Sequence, residues 1–243
     1  MADAGTNLLI SPSDKVRAPG GWINKPPPPE DQRVRVGRPD ERMMEAILLL
    51  CGEGGYADTS VQAVIGRAGV SRNTFYKNFA DNEDCFLRAY EAGVDEFTHR
   101  ILAPGREAQD WRSGVRAALT ALVEVLEEQP MIASCLIVEA HTVGRRTLEK
   151  RASAMRQFAL ALDRIRRTSA EAAVLPPLTS EIVVGGLESL VRRQIETGDP
   201  ATPRLLLPEL VYFAVRPYLG HRVATEEASL VRASAPSAEG PES

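Results

Sequence analysis

Thr59-Ser60-Val61-Gln62-Ala63-Val64-Ile65-Gly66-Arg67-Ala68-Gly69-Val70-Ser71-Arg72-Asn73-Thr74-Phe75-Tyr76-Lys77-Asn78-Phe79 is the stretch that decides the fold. Val61, Val64, Ile65 and Ala68 recur at helical spacing. Thr59 and Gln62 have the form of a capping box, in which the hydroxyl accepts a first-turn amide and the glutamine reaches back. Gly69 stands where the chain needs a left-handed residue to leave a helix. Ser71 is the next N-cap, and a second short helix runs from it through Lys77. Two short helices joined by a tight glycine turn make a helix-turn-helix, whose second helix enters the major groove of DNA by its N-terminal end.

The residue types on that second helix suit the task. Phe75 and Phe79, four apart, should face the core with Ile65 and Val70, which leaves Arg72, Asn73, Tyr76 and Lys77 outside. Arg72 can bond guanine edges or phosphate, and Asn73 can pair bidentately with adenine. Tyr76 and Lys77 suit phosphate, which fixes register without reading sequence. The short hydroxyls of Ser71 and Thr74 suit close backbone contact, and the amides at both helix starts add affinity for anions. The expected DNA-contacting set is Arg38, Thr59, Ser60, Gln62, Ser71, Arg72, Asn73, Thr74, Tyr76, Lys77 and Asn78. The competing reading is a solvated polar face, or a helical adaptor that uses this surface for protein contact.

Outward from this stretch the pattern stays helical. Pro39 suits a first helical turn, Met43, Ile47 and Leu50 follow on one face, and Gly52, Gly54 and Gly55 end that helix. Asp81 can cap a fourth helix, with Glu83 and Asp84 in its first turn, continuing through Phe86, Leu87, Tyr90, Val94 and Phe97 to about Ile101. Further helices are expected over 109–128, 130–141, 145–173, 180–197 and 203–219, punctuated by Pro130, Pro176-Pro177, Pro200 and Pro203. The expected fold is therefore all-α: a three-helix helix-turn-helix domain over 37–95, then a larger helical effector-binding and dimerisation domain over 96–222. Residues 1–36, with Pro26-Pro27-Pro28-Pro29, read as a disordered arm and proline-rich spacer. Its Arg33 and Arg35, with Arg38, could lie in a minor groove. Residues 223–243 read as a disordered tail.

Composition bounds what else the chain can be. A net charge of -4 over 243 residues excludes a uniformly basic coat but not a local basic patch. Cys51, Cys85 and Cys135 lie far apart without disulfide or metal-ligand spacing, and read as buried apolar residues. No HExxH, phosphate-cradling glycine loop, GxSxG or CxxC is present, so no catalytic, cofactor or metal residue is assigned and no enzyme is expected. No apolar run approaches the roughly 20 residues of a membrane span. The N-terminus also lacks a signal-peptide pattern, so a cytoplasmic protein without a membrane partner is expected. His99, Trp111, Met131, Cys135, His141 and Phe158 could wall a ligand cavity, but such residues are more often ordinary core, and none is assigned. Gly185 and Gly186 interrupt an apolar helical pattern at about 1 kcal/mol each relative to Ala. Close approach of a second copy would offset that cost; a local kink is the alternative.

The 59–79 stretch resembles the DNA-binding signature of the tetracycline-repressor (TetR) family, through Ala68-Gly69-Val70-Ser71, Thr74-Phe75-Tyr76 and Phe79. Asp81-Asn82-Glu83-Asp84-Cys85-Phe86-Leu87 resembles the start of that family's fourth helix, and the close resemblance spans about 41–90. One position departs. The family usually carries a backbone-contacting Lys where Asn82 stands, and Asn82 can donate a hydrogen bond but has no charge. Beyond residue 90 the resemblance is one of layout, implying a helical domain that binds a small ligand and dimerises through its last helices. Residues 182–190, 206–210 and 217–220 look similar to the dimerisation end of actinobacterial-type members, which adds Leu187, Leu190 and Leu210 to Gly185 and Gly186 as the expected dimer interface. The resemblance implies a sequence-specific transcriptional regulator, a homodimer holding two recognition helices roughly 34–36 Å apart on a near-palindromic operator. A small-molecule effector would release such a repressor; activation by the same fold is the alternative.

Overall fold

Helices form where the periodic apolar residues lie, and their order fixes which of them meet. The computed structural model describes residues 37–139, 143–167, 169–197 and 202–233, and no strand occurs among them. The arm over 1–36 with Arg33 and Arg35, His141 and residues 234–243 lie outside the described residues. The elements are α1 (Pro39–Gly54), α2 (Val61–Ala68), α3 (Arg72–Asn78), α4 (Asn82–Glu107) and α5 (Trp111–Glu128). They continue as α6 (Pro130–Ser134), α7 (Arg145–Asp163), α8 (Ala170–Ala173), α9 (Thr179–Thr197) and α10 (Thr202–Ala233). The expected all-α fold, a helix-turn-helix followed by a larger helical body, is what the chain adopts.

Several boundaries differ from the sequence expectation, each for a local reason. α4 runs on to Glu107 past Pro104, and Asp110 then caps α5 by accepting the Arg112 and Ser113 amides at 2.9 and 3.2 Å. The expected 130–141 helix changes pitch: α6 gives way to a π-helical turn over Cys135–Glu139. The expected 145–173 helix breaks into α7, a 3-10 turn Arg164–Arg167 and the short α8, which Ser169 caps through the Ala172 amide.

The largest correction concerns the tail. Residues 223–233 are helical, with Ala224, Glu227, Ala228 and Val231 buried. α10 bends at Gly220, where φ is 75° and ψ 178°. Arg232 then pairs with Glu209 at 3.6 Å, whereas a straight helix would hold those residues about 34 Å apart. The second arm of α10 therefore folds back along the first. Its buried Glu227 is held by two arginines of α5, Arg112 at 3.4 Å and Arg116 more closely.

Two apolar clusters fill the interior. The first gathers Met43, Ile47, Val64, Ile65, Phe75, Phe79, Phe86 and Tyr90 from α1–α4, and continues into Ile132, Cys135, Leu136 and Ala154 of the larger body. The second gathers α5, α7, α9 and α10 around Val123, Leu162, Leu210, Val211 and Val215. Phe97, Met155 and Phe158 touch both. The expected cut at residue 95 thus falls inside a continuous helix and between clusters that share side chains.

Candidate nucleic-acid interface

The helix-turn-helix is set by its caps and its buried ring pair. Gly69 adopts φ 59°, ψ 42°, and the Val70 amide donates to the Ile65 carbonyl at 3.1 Å, a closure that a left-handed residue makes possible. Ser71 caps α3 by accepting the Thr74 amide at 3.0 Å. Phe75 and Phe79 are buried with ring centroids 5.7 Å apart, each burial worth about 2–3 kcal/mol. That anchoring turns Arg72, Asn73, Tyr76 and Lys77 outward, all exposed. The Arg72 guanidinium lies 5.8 Å from the Tyr76 ring centroid, which steadies a long side chain at the leading end of the helix. Ser60 and Gln62 are exposed at the start of α2.

Other members of the expected contact set are placed differently. Thr59 is not the cap of α2: Ser60 is, accepting the Ala63 amide at 3.2 Å. Thr59 is buried and its hydroxyl donates to the Gly55 carbonyl at 2.9 Å, so the cap lies one residue later than the sequence reading put it, the expected Thr59–Gln62 capping box does not form, and Thr59 faces inward. Thr74 and Asn78 are half-buried: the Thr74 hydroxyl lies 2.8 Å from that of Ser71, and the Asn78 amide donates to the Thr74 carbonyl at 2.8 Å. Arg38 is exposed and already paired, 2.6 Å from Asp40; hydrogen bonding to that carboxylate and then its charge raise the Arg38 pKa. Arg67 forms two hydrogen bonds to Glu53, at 2.9 and 2.7 Å, and holds that carboxyl below its usual range. Asn82 does not reach outward. Its amide donates to the Thr59 carbonyl at 2.7 Å, tying the first turn of α4 to the loop before α2.

Residues 44–89 match the family model described as bacterial regulatory proteins, tetR family. That match places a TetR-type DNA-binding unit in this part of the chain. Solved structures agree at the level of the fold. The fatty acid degradation regulator FadR from Bacillus halodurans is 17% identical, with 76% of this chain and 97% of that chain covered and a TM-score of 0.65. The TetR-family regulator PfmR from Thermus thermophilus is 19% identical over 76% and 98% of the two chains, with a TM-score of 0.56. FadR from Bacillus subtilis, in complex with stearoyl-CoA, is 15% identical over 78% and 95%, with a TM-score of 0.54. No curated protein matches the chain. Motif and fold together give a TetR-type helix-turn-helix at the head of a larger helical body, and no helix of the described residues is long and apolar enough to cross a membrane.

The larger body places the remaining candidates. Trp111 donates from its indole to the Leu162 carbonyl at 3.0 Å and packs edge-on against Tyr218, so it is a structural brace. His99 is exposed, and Phe158 bridges the two clusters. All three cysteines are buried, as the sequence reading expected, and burial pushes the Cys85 thiol up to about 12. Among the described residues no group of His, Cys, Asp and Glu is arranged to hold a metal ion. An open groove of about 440 Å³ runs between the end of α4, α5 and the second arm of α10, lined by Pro104, Arg116, Ala117, Ala121, Leu230 and Val231 among others. Sequence reading misses it because the composition of the folded-back arm is that of a tail.

The expected dimer residues also divide. Gly185 and Gly186 are exposed on α9, with nothing near the space a Cβ would fill. Leu187 and Leu190 are half-buried against the second cluster. Leu210 is fully buried within its own chain, so it is core and not interface. The outward apolar residues nearby are instead Ile182, 71% exposed, with Leu205 at 70% and Phe213 at 55%.

Proposed function

We propose that this chain is a homodimeric, ligand-responsive regulator that occupies a near-palindromic operator through the outer face of α3. The observation that carries the reading is the exposed quartet Arg72, Asn73, Tyr76 and Lys77 on a helix anchored by buried Phe75 and Phe79. Arg72 and Asn73, at the leading end, read base edges; Tyr76 and Lys77 hold phosphate. Ser60, Gln62 and Ser71 add contacts at the two helix starts, where unpaired amides favour anions. Arg38 joins by exchanging Asp40 for a phosphate, and Thr74 and Asn78 support from the flank. The helix-turn-helix over 37–95, the effector and dimerisation body after it, and an arm over 1–36 form the working division of the chain.

Ile182, Gly185 and Gly186 on α9 and Leu205 and Phe213 on α10 supply the face on which a second copy seats. Large apolar residues exposed on two helices that pack together support this. Occupancy of the operator represses, and a small molecule bound in the larger body releases it by favouring a dimer with the wrong head spacing. The work takes place in the cytoplasm. Since the B. subtilis FadR holds stearoyl-CoA, a long-chain acyl-CoA is the first effector class to screen.

The test is enrichment of duplexes from a random pool by the purified full chain, then titration at several salt concentrations with unrelated competitor. Specific binding weakens steeply with salt yet survives the competitor. No preference for any duplex under any condition overturns the reading.

A further inference from the structure

The loop over 55–60, which leads into the DNA-facing start of α2, is held from two sides. From below, Asn82 donates to the Thr59 carbonyl at 2.7 Å. From the larger body, Glu139 at the end of the π-helical turn accepts the Tyr56 amide at 3.3 Å, across 83 residues of sequence. Its carboxylate also lies beside Gly55, 3.5 Å from where a Cβ would stand. The surroundings make that turn a firm seat. A Cβ on Gly52 of α1 would come within 1.9 Å of the Met131 carbonyl, so α1 and α6 touch backbone to backbone. The Tyr90 hydroxyl of α4 donates to the Leu136 carbonyl at 3.2 Å, and the Tyr56 ring packs tilted against Phe86, centroids 4.7 Å apart.

We propose that Glu139 is a positioning residue for DNA binding: by accepting the Tyr56 amide it fixes the loop before α2, and through that loop the angle at which α2 and α3 meet the duplex. The inference rests on the DNA-binding function proposed above. It also assigns the π-helical turn a role, because a pitch change there directs the last side chain of the turn to the head domain. Simple electrostatics gives the opposite sign. Removing a carboxylate near DNA should tighten binding if charge alone mattered, whereas loss of the tether loosens it.

The experiment uses the full chain and a duplex that the wild-type protein enriches from a random pool. Glu139→Ala is expected to weaken binding roughly five- to ten-fold with an unchanged salt slope, because no phosphate contact is lost. Glu139→Met, which keeps the length without an acceptor oxygen, should lose as much. Glu139→Gln keeps an acceptor and should bind within about two-fold of wild type, a rescue on hydrogen-bonding grounds. In free protein, hydrogen exchange at the Tyr56 amide should speed up in the Ala and Met variants and not in the Gln variant. Equal binding by wild type and Glu139→Ala, or a Gln variant as weak as Ala, overturns the proposal. If neither the Ala nor the Met variant melts cooperatively, Glu139 serves the fold rather than the DNA contact, and the proposal falls too. A wild-type chain that enriches no duplex would instead sink the DNA-binding reading itself.

Discussion

At the level of single residues, the proposed DNA contact divides reading and holding between different side chains of one short helix. Arg72→Ala or Asn73→Ala should cost about 1–3 kcal/mol on the selected duplex and relax preference at one base position. Lys77→Ala should weaken all duplexes alike and lower the salt slope by about 1; filter binding on specific and random DNA distinguishes the two, and equal losses for all three variants would refute the division. Gly52 makes a separate kind of demand. Its α-carbon faces the Met131 carbonyl so closely that a methyl group would sit 1.9 Å from the oxygen, and backbone on both sides cannot yield as a side-chain tip can. Gly52→Ala should destabilise by about 3 kcal/mol, a melting-temperature drop of roughly 6–12 °C. Gly54→Ala, with open space around it, is the control and should barely move the melt.

Among the elements, legibility followed periodicity. The α2–α3 unit could be read because its apolar spacing, its αL glycine and its Ser71 cap all agree, and the buried Phe75 and Phe79 sit where their four-residue spacing put them. Thr59 and Ser60 are both good caps, and sequence could not rank them; the hydroxyl of Thr59 goes to Gly55 instead, a turn contact invisible before folding. The second arm of α10 was missed because Ala224, Ala228 and Val231 make a thin apolar stripe among Thr, Glu and Arg. Its stability comes from a partner helix through Glu227 and the arginines of α5. Glu227→Ala should therefore leave two guanidinium groups without their shared carboxylate and cost about 3 kcal/mol. Proteolysis should then cut first between 221 and 233; an unchanged cleavage pattern would mean the arm is held by its apolar stripe alone. The π-helical turn was likewise unreadable, since Cys135-Leu136-Ile137-Val138-Glu139 fits an ordinary helix equally well.

For the molecule as a whole, the proposed assembly turns on surface rather than core. Leu210, expected at the interface from sequence similarity, is interior, whereas Ile182 and Phe213 are outside; apolar periodicity on a helix with two apolar faces cannot say which face a second copy takes. Ile182→Glu should raise the dimer dissociation constant at least ten-fold, about 1.4 kcal/mol, with the monomer fold intact because the site is exposed. Sedimentation velocity across a concentration series measures this, and an unchanged profile would move the interface elsewhere.

The interior cluster that joins the head to the body has an evolutionary implication. Ile132, Cys135, Leu136 and Ala154 complete the core of α1–α4 from outside it. A head grafted from a relative would bring its own matching surface for α6 and α7 and meet the wrong one. Substituting exposed side chains of α2 and α3 would leave this shared core intact, whereas exchange of the whole head would demand compensating change in the body that receives it.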